Sequence, residues 1–150
     1  MDYTELLALM NMESGVNAKC WTGSYYGLIQ SGEAACNTVG YTQQDLINMT
    51  PLEQLDFVDK RIAYVQKNVY GGRNISACDF YCANFLPARV KNEVLTRKGD
   101  HDYYSKKTGQ WRSYYDDNAA VDINGDGAIT KSEMQQWINR KKVDESSFSG

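Results

Sequence analysis

The chain has 150 residues, enough for one domain with a sizeable core, and its 42% hydrophobic and 23% charged content is ordinary for a soluble globular protein. A net charge of −3 gives bulk electrostatics no reason to expect nucleic acid as a partner. No run of about 18 apolar residues exists to span a membrane, and the N-terminus MDYTELLALM lacks the basic start and long apolar run of a secretory signal, so the expectation is a chain made and kept in the cytoplasm unless it leaves by another route.

In chain order, Leu6, Leu7 and Met10 fall at helical spacing and predict a helix over residues 3–14, stopped by Gly15. Residues 16–31 carry Gly23, Gly27, Trp21, Tyr25 and Tyr26 and read as an irregular exposed loop, entering a short segment at Leu28–Gln30. A short helix is expected over 31–37. Thr42 with Asp45 signals a capped start, and Thr50, Pro51 and Glu53 make a second: cap, first-turn proline and capping-box acid. Behind it Leu55, Val58, Ile62, Val65 and Val69 form an apolar stripe that ends at Gly71 and Gly72. Ser76 with Asp79 makes another capping box, Ile75 can staple against Phe80, and that helix should run to about Leu86, before Pro87. A shorter helical piece is expected over 88–97, then a polar, aromatic and mobile or extended connection over 98–120. Met134, Trp137 and Ile138 mark a last helix, and residues 144–150 read as frayed. With strand signals nearly absent, the fold class predicted is all-α, α+β at most.

The four cysteines and the lone His101 make no zinc pattern. Cys78 and Cys82 lie on one helical face and read as buried free thiols. A Cys20–Cys36 bridge is left open.

The twelve residues DINGDGAITKSE, from Asp122 to Glu133, carry the most specific pattern in the chain. Asp122, Asn124 and Asp126 alternate oxygen-bearing side chains, Gly127 sits at the sharp turn, and Ala128 offers its backbone carbonyl. Thr130 can reach an ion directly or through water, and Glu133 closes the loop with a bidentate carboxylate. This is the calcium loop of an EF-hand. Sensor EF-hands come in pairs and this one is alone. The ion is therefore expected to be structural, acting on stability more than on chemistry.

Glu13, at the end of an apolar helix, is the residue that can carry catalysis. A carboxyl buried against apolar neighbours has a raised pKa and becomes a proton donor near neutral pH, which glycoside cleavage requires. Taken alone it is an ordinary helix-end glutamate. Glu13-Ser14-Gly15, followed by Gly27-Leu28-Ile29-Gln30, resembles the two leading motifs of the lysozyme-like lytic transglycosylases, the soluble-type family related to goose-type lysozyme. MTPLEQLDFVDKRI, residues 49–62, resembles phage-encoded members of that group, several of which also end in a single EF-hand-like loop.

The resemblance implies a lysozyme-like helical domain over 1–97, with residues 98–150 as a connecting segment and calcium-binding extension packed on the same domain. It implies Glu13 as catalytic acid and then base, Ser14 orienting the glycan or the glutamate, and Gln30 and the backbone around Gly27 lining the groove. The family's third motif is altered here; Phe80-Tyr81-Cys82-Ala83-Asn84 is its nearest counterpart, with Tyr81 as the tyrosine that contacts the glutamate and Asn84 as a further contact. The implied substrate is the peptidoglycan glycan strand, cut between N-acetylmuramic acid and N-acetylglucosamine. No second acid stands out: Asp79 reads as a helix cap, and Asp116 and Asp117 as solvated residues near the calcium loop. That favours a lytic transglycosylase, which needs one carboxylate, over a hydrolytic lysozyme. The setting implied is a phage particle, with other virion proteins as partners, or the host cytoplasm, acting on the periplasmic wall. A non-catalytic wall-binding protein and a calcium sensor are the readings from other classes.

Overall fold

Helix starts in this chain are fixed by side chains close in sequence. The computed structural model describes residues 1–142. Helix α1 (Tyr3–Ser14) starts on the Asp2 carboxylate, and α2 (Glu33–Asn37) follows a long loop. Thr42, Thr50 and Ser76 each close a reciprocal capping box, with Asp45, Glu53 and Asp79, at the heads of α3 (Gln43–Ile47), α4 (Pro51–Asn68) and α5 (Ala77–Phe85). Each box satisfies backbone N–H groups that a helix leaves open at its first turn.

Helix covers about 48% of the described residues and strand about 11%, a mixed helix-and-sheet fold at the α+β end of what the sequence allowed. Residues 88–97 do not form the expected helical piece. A single 3₁₀ turn at Pro87–Arg89 leads into strand β1 (Val94–Arg97). Residues 98–120 are also not a bare connection. They hold a hairpin of β2 (Tyr103–Ser105) and β3 (Gln110–Arg112), the short helix α6 (Tyr114–Asp117) and a 3₁₀ turn at Ala119–Val121. A buried carboxylate orders this stretch: Asp102 meets Arg89 at 2.5 Å, accepts from the Thr96 hydroxyl at 2.6 Å and takes the Tyr114 N–H at 2.8 Å. Those partners are distant in sequence, so no local pattern announces them.

Strand β4 (Ala128–Thr130) lies in the acidic loop and pairs antiparallel with β1, Thr96 opposite Ile129 and Arg97 opposite Ala128. Helix α7 (Lys131–Asn139) then packs on α1 and α5. On the incoming side of the loop stand α6 and the 3₁₀ turn.

The core centres on α1, whose residues Leu7 to Met10 are all buried, as befits a helix surrounded by others. On α4 the buried face runs Gln54, Phe57, Val58, Arg61 and Val65, while Leu55 is 39% exposed. The expected stripe is therefore rotated by about one residue, bringing two polar side chains inward. Cys20, Cys36, Cys78 and Cys82 are all free, which settles the open bridge. The Cys78 and Cys82 sulfurs sit 4.0 Å apart on one buried helical face, as expected. The expectation for 144–150 lies outside the described residues.

Candidate active site and acidic loop

Glu13 stands on the last turn of α1, where Gly15 ends the helix in the left-handed region at φ 65°. Val16 follows at φ 56°. A β-branched residue there is strained, at a cost of about 1–3 kcal/mol. The other non-glycine residue with positive φ among those described is Gln30, at 50°. Both bracket the loop that returns to Glu13.

Three polar side chains hold that loop. Ser14 Oγ reaches the Leu28 carbonyl at 2.8 Å and the Met10 carbonyl at 3.0 Å, and it accepts the Asn17 N–H. Gln54 accepts the Leu28 N–H at 2.7 Å and donates to the Ala18 carbonyl at 3.0 Å. The Gln30 amide donates to the Cys20 and Gly27 carbonyls and accepts from the Thr22 hydroxyl. Three sequence-based roles change accordingly. Ser14 ties the two motifs together and does not present its hydroxyl to a ligand. Gln30 is 8% exposed, with its amide spent inside the loop. Gly27 is buried against Gln54 and does not line a groove.

Gly27 has φ 93°, and a Cβ there would lie 2.6 Å from Gln54 Oε1. Gly27→Ala should therefore cost about 2–4 kcal/mol, from left-handed strain and overpacking together. Gly15→Ala, with nothing within 4 Å, should cost about 1 kcal/mol. Urea unfolding of both variants checks the ordering; equal losses would mean that the Gln54 contact is absent.

Glu13 itself is half-buried and forms no hydrogen bond or ion pair among the described residues. Burial pushes its carboxyl up to about 8 from an ordinary 4.5. On one side it meets a tight recess with Leu9, Ile29, Phe80, Tyr81, Asn84 and Phe85. On the other it opens to a recess of about 340 Å³ bounded by Met12, Asn118, Val121, Met134, Trp137 and Lys141. Tyr81, Asn118 and Met134 also line a larger aromatic cleft of about 440 Å³, with Tyr25, Phe85, Tyr103 and Tyr114 among its walls. Tyr81 stacks on Phe85 with ring centroids 4.6 Å apart. Tyr81 thus stands beside Glu13, and burial together with the Glu13 charge pushes its hydroxyl up. Asn84 shares the tight recess, but its amide is committed: it accepts from Arg61 and donates to the Phe80 carbonyl.

Sequence reading missed most of the cleft wall. Tyr103 and Tyr114 belong to the hairpin region, and Asn118 and Met134 flank the acidic loop. The one available signal was the β-favouring aromatics Tyr103, Tyr104 and Trp111 on either side of Gly109. Asp117, expected to be solvated, borders the cleft and is held by Arg112 at 2.9 Å and the Tyr103 hydroxyl at 2.5 Å.

In the acidic loop, oxygens of Asp122, Asp126 and Glu133 lie within 4.8 Å of one another. Three like charges so close repel unless a cation joins them. Asp122 accepts from the Gly127 N–H at 2.9 Å and the Tyr115 hydroxyl at 2.6 Å, which fixes its orientation. Glu133 accepts the Asn124 N–H at 3.3 Å and the Thr130 N–H at 3.1 Å. The three carboxylates offer a metal ion oxygen atoms alone, the donors that hard cations take. The Thr130 hydroxyl caps α7 in a box with Glu133 and donates to the Glu133 carboxylate at 3.3 Å, beside the cluster.

Among the described residues no helix is long and apolar enough to cross a membrane. The chain matches no protein-family model, no curated protein sequence and no solved structure.

Proposed function

We propose that this chain is a peptidoglycan-cleaving glycosidase of the lytic transglycosylase type, with Glu13 as its single acid and base. One observation carries the reading: a half-buried, partnerless carboxyl with a pKa near 8 in a recess that shares Tyr81, Asn118 and Met134 with the neighbouring aromatic cleft. Such a group holds its proton at neutral pH and can give it up to a leaving oxygen. The motif resemblance at Glu13-Ser14 and Gly27 to Gln30 supplies the substrate class, and the row of Tyr25, Phe85 and Tyr81 supplies flat faces for pyranose rings.

In the reaction, Glu13 protonates the glycosidic oxygen as the bond from the muramoyl C1 breaks. The muramoyl 6-hydroxyl then attacks C1 and returns its proton to the Glu13 carboxylate. The product carries a 1,6-anhydro ring, and the enzyme ends as it began. Tyr81 borders both recesses and guides the strand past Glu13. Asn84, Ser14, Gln30 and Gly27 act by holding the walls.

Asp122, Asn124, Asp126, Ala128, Thr130 and Glu133 would hold calcium. The ion would neutralise the carboxylates and fix the loop, whose Ile129 borders the cleft together with Asn118 and Met134 on either side. The chain would act on the wall from the host cytoplasm or from a virion.

Hydrolysis is the second reading, favoured by Asp117 at the cleft wall. Its carboxylate is already engaged by Arg112 and Tyr103, which leaves it a poor base. Mass spectrometry of digested muropeptides separates the two: anhydro ends are lighter than reducing ends by one water. Anhydro ends should dominate; a majority of reducing ends would make the protein a lysozyme.

A further inference from the structure

The hairpin that walls the cleft has a second face. Successive strand residues point to opposite sides, so Tyr103 borders the cleft while Tyr104 faces away. Tyr104 pairs across the hairpin with Trp111, and the two are 52% and 55% exposed. His101 stacks on Trp111, centroids 5.6 Å apart and planes 14° from parallel, and Tyr104 meets Trp111 edge-on at 5.7 Å. The hairpin turn brings Lys106 and Lys107, both exposed and without an ion pair among the described residues. The acids of this stretch are drawn elsewhere: Asp102 onto Arg89 and Thr96, Asp100 onto the Arg97 N–H. In a chain of net charge −3, this is an aromatic strip ending in two free ammonium groups. Isolated exposed aromatics are common, whereas contiguous exposed patches mark interaction sites.

We propose that this outer face binds a second length of anionic glycan outside the cleft, an inference that rests on the cleft itself taking peptidoglycan. Pyranose rings offer C–H faces to Trp111 and Tyr104, and the carboxylates of the peptide stems meet Lys106 and Lys107. Because Tyr103 and Tyr104 are adjacent on one strand, a wall polymer held on the outer face stays beside the cleft and raises the local substrate concentration. Single-stranded nucleic acid also stacks on aromatics. The net negative charge opposes so dense a polyanion, whereas the carboxylates of a glycan strand are sparse.

The test reads binding without cleavage. Glu13→Gln protein is sedimented with purified insoluble peptidoglycan, alone and with Tyr104→Ala and Trp111→Ala added. The added pair should raise the half-saturation concentration about tenfold, and Lys106→Ala with Lys107→Ala should flatten the salt dependence. In the otherwise wild-type chain, Trp111→Ala should leave turnover of a short soluble muramoyl fragment unchanged while slowing attack on intact walls. Circular dichroism confirms that the variants fold. Sedimentation unaffected by the aromatic pair would overturn the proposal, as would tighter binding of a single-stranded DNA oligomer that displaces the glycan. A wild type that sediments through Trp111 yet cleaves nothing would sink the catalytic reading alone.

Discussion

Glu13→Gln should abolish glycan cleavage and make the protein more resistant to heat at alkaline pH. General acid catalysis contributes about 10²- to 10⁴-fold, and glutamine keeps the shape without the proton, so the rate should fall by at least that range's lower end. The stability effect follows from linkage. The folded carboxyl titrates at about 8 and the unfolded one near its ordinary 4.5. Between these values the folded state holds a proton that the unfolded state lacks, so stability declines as pH rises from about 4.5 and levels off above about 8. Glutamine escapes that decline. Glu13 is partly open to solvent, so the gain is well below what the full shift would give, about 1–2 kcal/mol. In a chain of this size that is roughly 3–6 °C of melting temperature at pH 9, vanishing near pH 4. A variant that melts lower than wild type at pH 9 would mean that the carboxylate has a stabilising partner there.

Calcium should produce the other large effect. A ligand bound only by the folded state at a hundredfold excess over Kd adds about 2.7 kcal/mol, which is roughly 5–10 °C. Chelation should remove that increment. Glu133→Gln should mimic chelation, because glutamine still closes the capping box with Thr130 but withdraws a charge from the ion. The expectation from sequence alone, that the ion acts on stability more than on chemistry, gains a second part with the fold. Ile129 in the loop, with Asn118 and Met134 on either side of it, borders the cleft. Chelation at a temperature below melting should therefore raise KM more than it lowers kcat. Identical melting with calcium and with chelator would make the loop an empty turn.

Legibility in this sequence followed distance along the chain. The capping boxes at Thr42, Thr50 and Ser76 were readable because each is closed within four residues. The buried face of α4 was misjudged because hydrophobic periodicity counts side-chain type. It cannot anticipate that the 16–31 loop folds down to bond Gln54, or that Asn84 and Thr38 receive Arg61. The β2–β3 hairpin was hidden for a similar reason, since Asp102 orders it through Arg89, Thr96 and Tyr114. In the candidate site, Glu13 and Tyr81 were legible from motif order and do stand together. Gly27 and Gln30 were placed in the groove, but their chemistry is spent on shaping the loop. In the acidic loop, Asp122, Asp126 and Glu133 were legible from their spacing and do stand together. That the loop touches the cleft was invisible, because the β1–β4 pairing responsible joins segments more than thirty residues apart.

The proton-donor role of Glu13 is tested most directly by the initial rate at which wild-type protein releases soluble fragments from purified peptidoglycan between pH 5 and 10. Release should be steady at neutral pH and fall about tenfold per pH unit above an apparent pKa near 8, as Glu13 loses its proton. No release at any pH, or a rate that climbs through pH 8, would contradict it.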